Sequence, residues 1–295
     1  MKRRLHHSIL DRLWVEICNL LQEASPIPSE LNRETSVTSI SSTMDWPRAC
    51  DALAKKVWTP HKFRRRKSVR QVVETLGIVD GRYFAQILHH MQLPPETLRK
   101  IRDICEWGNP LKAPSFLIGW AWNCSPTSLR YLAHAFWLKQ NGWILQGGSI
   151  VEIGAGFGGL AAMNAILSDA KIHIVDLPEV TSCVSLMMEE NGLSECLIPA
   201  DQIIRGDYTV ISNYAFSELT TELQDQYFEK WIRTSKNGIM ISNAKLFAQN
   251  ISGRNNHDIV NSLRNFGFNV ECYNEHPILG PSDVMCGNVL ITWMS

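Results

Sequence analysis

Ile150-Val151-Glu152-Ile153-Gly154-Ala155-Gly156-Phe157-Gly158-Gly159-Leu160 reads as a buried strand, a glycine-rich turn and the start of a helix. Glycines admit positive φ and let a ligand approach the backbone, while a helix start offers unpaired N–H groups. Gly154, Gly156 and Gly159 fit G-x-G-x-x-G, and Asp176 ends the next expected strand. That pattern alone also suits NAD, whose ribose hydroxyls an acid at this place would hold. Glu152 separates the readings. A carboxylate two residues before the first glycine would repel a pyrophosphate and would suit a cationic group; its structural alternative is a carboxylate satisfied by the N–H groups of the turn.

Downstream, short apolar runs alternate with helical spacing. Strands are expected at 149–153, 172–176, 195–199, 208–212, 238–242, 268–273 and 288–293, with helices over 158–168, 178–190, 219–234 and 256–265. Such alternation demands crossovers and a parallel sheet covered on both faces. Only the loop Asn274–Gly287 joins the last two strands, so the final strand should run antiparallel. The expected fold is therefore α/β: a Rossmann-like sheet of seven strands with the last reversed, which marks the class I methyltransferases and differs from a dinucleotide-binding sheet.

Upstream, residues 1–145 read as a mainly helical region covering the acceptor side, and 146–295 as a methyltransferase domain that binds S-adenosylmethionine. Helical spacing runs over 5–21, 46–58 and 68–91. Pro94-Pro95 and Ser125-Pro126 start two more helices, because proline suits the first helical turn. Residues 25–47, rich in Ser, Thr and Pro, read as a linker or loose loop. Lys62-Phe63-Arg64-Arg65-Arg66-Lys67 reads as a solvated approach to a helix, with a nucleic-acid patch as the alternative. Trp107, Trp120, Trp122, Tyr131 and Trp137 form an aromatic-rich stretch ahead of the sheet. It would pack the helical layer or stack on sugar C–H faces.

The composition excludes several classes. Of 295 residues, 45% are hydrophobic and 20% charged, an ordinary globular balance. Lys+Arg and Asp+Glu both number 29, so net charge points to neither nucleic acid nor a membrane. The distribution is uneven, with 14 Lys/Arg against 7 Asp/Glu in residues 1–70. The eight cysteines include no C-x-x-C pair, so neither a zinc knuckle nor a redox pair is signalled. No run approaches ~18 apolar residues and the basic start lacks an apolar core, so a cytoplasmic protein is expected.

Val151–Ala161, Asp176-Leu177-Pro178-Glu179 and Ser212-Asn213-Tyr214-Ala215-Phe216-Ser217-Glu218 together resemble the bacterial sugar O-methyltransferase family, as does Ser125–Tyr131. The resemblance covers residues 110–295. It implies that Glu152, Gly154, Ala155, Gly156 and Gly158 line the methionine moiety of S-adenosylmethionine. Asp176 would take the ribose hydroxyls and Leu177 would pack near adenine. Asp201 and Gln202 would meet the adenine amino group, or form a plain polar loop. Ser212 and Asn213 would lie at the carboxyl edge of the sheet. Transfer to a hydroxyl benefits from a base. Glu218 could be that base, orient sugar hydroxyls, or cap the next helix; His257 and His276 are the other candidates. Asp283 and Glu275 could help hold magnesium, which some sugar methyltransferases use, but their spacing is not diagnostic and no metal site is assigned. The implied partner is a small-molecule acceptor, a sugar or glycosylated metabolite, and a homo-oligomer is left open. The rivals are methylation of a peptide or other natural product, a NAD-linked oxidoreductase, and an inactive methyltransferase-like binding module.

Overall fold

A computed structural model describes residues 9–22, 27, 38–114, 123–202, 204, 206–275 and 288–295. The amino-terminal part is helical: α1 (Ile9–Leu21), α2 (Trp46–Ala54), α3 (Lys67–Arg70), α4 (Ile78–His90), α5 (Pro95–Glu106) and α6 (Pro126–Gln140). A two-residue antiparallel pair, β1 (Ala113–Pro114) with β2 (Asn123–Cys124), lies between α5 and α6. The helix expected over 68–91 is broken in two. Glu74 turns inward to Arg64, and Gly77 begins α4 by donating its N–H to Asp80 at 2.9 Å. Residues 38–47 of the Ser-rich stretch are tied to the rest of the chain rather than forming a loose loop. Ser39 pairs with Leu219 across an isolated bridge, and buried Ser39 and Ser42 exchange hydrogen bonds from backbone N–H to side-chain oxygen.

The main sheet contains β3 (Ser149–Ile153), β4 (Lys171–Val175), β5 (Tyr208–Asn213), β6 (Asn237–Ser242), β7 (Asn269–Asn274) and β8 (Val289–Met294). Their order is β4-β3-β5-β6-β8-β7. Strands β3 to β6 pair in parallel, and β8 lies antiparallel to both β6 and β7. The reversed last strand is as expected; the seventh strand is not formed. Among the described residues the sheet has six strands. The segment expected as a strand at 195–199 gives a single bridge, Leu197 to Ile172. Its first residues, Glu195 and Cys196, belong to the 3-10 turn Ser194–Cys196, and Pro199 has no N–H to extend a ladder.

Helices α7 (Gly159–Ser168) and α8 (Pro178–Glu190) cover one face of the sheet, and α9 (Thr221–Tyr227) and α11 (Asn256–Asn265) the other; α10 (Ala244–Phe247) is a single turn after β6. The pleat sorts the side chains. Ile150, Ile172, Ile174, Ile211 and Ile239 join the first core. Val151, Ile153, Val210, Met240 and Trp293 join the second, with Phe216, Phe228 and Leu263. The first core is continuous from Trp46 through Leu132 to Met188, because α2 packs on α8, and α5 and α6 pack on α7. The cover over the sheet therefore includes the amino-terminal helices. No described helix is long and apolar enough to cross a membrane.

In the basic run at 62–67, Lys67 is exposed as expected of a solvated approach, but Arg64 and Arg66 turn inward. Arg64 is fully buried. It donates to Glu74 at 2.6 Å, to the carbonyls of Cys105 and Trp107 at 3.1 and 3.2 Å, and to Ser125 and Ser128 at 2.9 Å each. Its guanidinium also lies 4.1 Å above the Phe157 ring, while Trp107 stacks on that ring at 6.0 Å. Arg66 covers Trp58 at 3.7 Å, and Arg65 donates to the Asn109 carbonyl at 2.8 Å. One arginine thus joins α5 and the start of α6 to the glycine turn.

Removing one partner of a buried ion pair strands the other charge. Arg64→Ala is expected to lower stability by about 3–5 kcal/mol in urea unfolding. A loss below about 1 kcal/mol would show that Arg64 does not hold the helical layer.

Candidate active site

The chain runs from β3 outward to β4 and then returns to the other side of β3 as β5. In open α/β sheets this reversal opens a crevice at the carboxyl ends of the strands. Two loops meet there: the glycine turn after β3, and residues 213–218 after β5. Gly154 has φ of +78°, and a Cβ on it would fall 1.9 Å from the Cβ of Ala215, so only glycine fits. Gly156 and Gly158 also have positive φ. Gly156 lies against Val73 and the Tyr131 hydroxyl, and Gly158 caps α7 against Val184 and Met187. Ser212, fully buried, ties the loops together. Its hydroxyl donates to the Ile153 carbonyl at 2.9 Å and accepts the Phe216 N–H at 3.0 Å.

Glu152 lies beneath the turn. Between Val151 and Ile153, which face the second core, it must point to the opposite face with Ile150. It is 2% exposed, and its Oε2 is buried without a partner. The alternative of a carboxylate satisfied by the N–H groups of the turn is not what forms. Burial, and secondarily the Asp176 charge, push its carboxyl up to about 8. A neighbouring cation would reverse that shift.

The N–H group of the turn goes to Asp176 instead. Ala155 N–H donates to Asp176 Oδ2 at 2.9 Å and Leu177 N–H to Oδ1 at 2.8 Å. Its low-dielectric surroundings push Asp176 up to about 6, against the pull of these N–H groups. Asp176 therefore shapes the turn, facing the N–H groups of Leu177, Ala155 and Gly156, and keeps capacity for a further donor. Leu177 precedes α8, half-buried against the first core. Asp201 and Gln202 are exposed in the turn beyond the strand that does not form. Among the described residues no hydrogen bond or ion pair joins either side chain to the glycine turn.

The loop after β5 carries a polar cluster that sequence reading largely missed. Asn213 pairs its Nδ2 with His134 Nδ1 at 2.8 Å, and His134 Nε2 stands 3.5 Å from Glu275 Oε1. Burial lowers the His134 pKa. Tyr214 has φ of +71°, an uncommon and strained value for an aromatic residue. Its N–H donates to the Ile241 carbonyl at 2.7 Å. Its hydroxyl donates to Glu275, and its ring lies 4.7 Å from the Arg130 guanidinium. Arg130 itself carried a signal: a lone arginine on α6, a helix otherwise buried over most of its length.

Glu218 closes the 3-10 turn Ala215–Glu218 and accepts from Asn243 Nδ2 at 2.6 Å. Burial raises its pKa, while the Asn243 hydrogen bond and the Arg130 charge oppose that rise. It does not cap α9, whose N-cap is Thr220. His257 is exposed and bonded to Asn261 of its own helix at 3.0 Å. His276 and Asp283, like Trp120 and Trp122, lie outside the described residues. Trp107 and Tyr131 pack on Phe157, and Trp137 on Trp143, so these aromatics hold the helical layer. Among the described residues no group of three or more His, Cys, Asp or Glu side chains is placed to hold a metal ion.

No protein-family profile matches the sequence, and no curated protein matches it. Among solved structures, the chain is similar to an S-adenosylmethionine-dependent methyltransferase from Aquifex aeolicus, with 14% identity over 54% of this chain and 88% of that one, TM-score 0.40. It is similar to magnesium protoporphyrin IX methyltransferase from Synechocystis PCC 6803, solved with bound S-adenosylmethionine, with 16% identity over 57% and 78%, TM-score 0.43. It is also similar to the mitomycin 7-O-methyltransferase MmcR, with 15% identity over 57% of this chain and 55% of that one, TM-score 0.41.

Glu152 makes the ligand-free protein sensitive to pH. Its folded pKa of about 8 lies above the ordinary 4.5, so between those values the folded chain keeps a proton that the unfolded chain has lost. The associated stability is complete below pH 4.5 and is lost as pH rises to about 8. Glu152→Gln is expected to flatten that decline by on the order of 4 kcal/mol, measured by chemical unfolding across the window. An unchanged slope would mean that Glu152 titrates normally.

Proposed function

We propose that this chain is an S-adenosylmethionine-dependent O-methyltransferase acting on a hydroxyl of a small molecule, a sugar or glycosylated metabolite. The observation that carries the reading is the buried, unpartnered Glu152 carboxylate beneath the glycine turn at the sheet reversal. A pyrophosphate would find no complement in that acid, whereas an ammonium and sulfonium would hold Glu152 ionised. The reversed β8 supports the same reading over a NAD-linked oxidoreductase. The sugar assignment rests on the resemblance of 212–218 and 125–131 to sugar O-methyltransferases.

The residues fit the donor in stated places. Glu152 would face its cationic end, the turn Gly154–Gly158 would lie along its methionine moiety, and Asp176 would add a ribose hydroxyl to the N–H groups it accepts. When bound, the donor supplies a methyl group on a sulfonium, which leaves as a neutral thioether. The chain must then remove the proton of the attacking hydroxyl. We assign that proton transfer to Glu218, whose raised pKa makes it a better base than an exposed carboxylate and whose carboxylate is held in place by Asn243. His134 is unsuited, since both ring nitrogens face partners. Ser212 and Asn213 shape the loop after β5.

S-adenosylhomocysteine is expected to raise the melting temperature and NAD is not, with about 2.7 kcal/mol of stabilisation at ~100 times the dissociation constant. A larger shift with NAD, or none with S-adenosylhomocysteine, would reverse the assignment. Glu218→Gln should lower turnover by about 10²–10⁴ while S-adenosylhomocysteine binds as before. Normal turnover in that variant would remove Glu218 as the base.

A further inference from the structure

Among the buried arginines of the described residues, Arg64 and Arg130 differ in one respect. Arg64 is 0% exposed and is matched to Glu74, two hydroxyls and two carbonyls. Arg130 is 8% exposed and forms no ion pair among the described residues; its Nε is buried without a partner. Its guanidinium lies against the rings of Tyr131 and Tyr214, at 5.4 and 4.7 Å, and meets the Tyr131 hydroxyl. The nearby carboxylates act on Arg130 through their charge and hydrogen-bond to other groups. Glu275 accepts from Tyr214 and from Asn288 Nδ2 at 2.8 Å, and Glu218 accepts from Asn243. A guanidinium lying against two aromatic rings with its Nε donor unused is suited to an oxyanion, which it binds through paired N–H groups.

Position assigns that oxyanion to one part of the site. Glu152 and Asp176 mark the β3–β4 half of the carboxyl edge. Arg130 lies instead among groups at the far ends of β5 and β7: Tyr214, Glu218 and Glu275. That is the side on which a hydroxyl must approach Glu218. We propose that Arg130 anchors a carboxylate or phosphate of the methyl acceptor, making the substrate an acidic hydroxyl compound such as a uronic acid or a sugar phosphate. The inference rests on the methyltransferase reading for its donor half, and on the arginine alone for its anion.

Calorimetric titration of D-glucuronate, D-glucose 6-phosphate and neutral D-glucose into the full chain, with and without S-adenosylhomocysteine, tests this. At least one acid should bind while glucose does not. Arg130→Met should weaken that acid by roughly 10–100-fold, leave S-adenosylhomocysteine affinity within about twofold, and melt no lower than the parent, because an unmatched buried charge has been removed. Arg130→Lys should keep part of the acid binding. No binding by either acid would overturn the proposal, as would equal binding by Arg130→Met or a variant that melts lower. Selective loss of S-adenosylhomocysteine affinity would assign the anion to the donor's own carboxylate and would overturn it too. If S-adenosylhomocysteine fails to bind the parent while an acid binds through Arg130, the methyltransferase reading falls and the anion site stands.

Discussion

An acid buried in an interior strand of the sheet, with one oxygen left without a donor among the described residues, is the constraint around which this structure is arranged. Glu152 is held there by the pleat, since its neighbours Val151 and Ile153 are committed to the opposite core. The N–H groups that could have relieved it are turned toward Asp176. The turn is thus shaped by one acid and leaves the other unmatched. Such a group is costly in an empty site and becomes favourable beside a cation.

The helices before the sheet are what keep that acid dry. Tyr131 and Val73 reach Gly156, and Trp107 and Arg64 of the same layer both lie against Phe157. The cover and the turn therefore share side chains, and the core runs without a break from α2 to α8. On the other side of the reversal, a strained Tyr214 links Arg130 to Glu275, so the loop after β5 is also braced by the helical layer. Donor and acceptor halves of the proposed site are supported by one scaffold.

Much of this was legible from periodicity and glycine chemistry. The strand–turn–helix at 149–168, the proline starts of α5 and α6 and the reversed last strand follow from local spacing. The seventh strand did not, because a run as short as 195–199 cannot be told from a turn by its apolar content, and Pro199 limits its pairing. Charge was the poorest guide. A basic run looks solvated until its partners are known, and those of Arg64 come from residues 74, 105, 107, 125 and 128. Likewise, Glu152 and Asp176 stood out in the sequence beside the glycine turn, but only three dimensions separate their surroundings: one lacks a donor and the other gathers the N–H groups. The cluster of His134, Tyr214 and Glu275 is assembled from α6 and the ends of β5 and β7, and no local motif announces it.

The central claim is that Glu152 is neutral when the site is free and ionised when a cationic ligand lies beneath the glycine turn. Calorimetric titration with S-adenosylmethionine near pH 7, repeated in buffers of different ionisation enthalpy, counts the protons exchanged on binding. The account predicts release of roughly one proton in the parent and almost none in Glu152→Gln. Binding without proton release in the parent, or with equal release in both proteins, would contradict it.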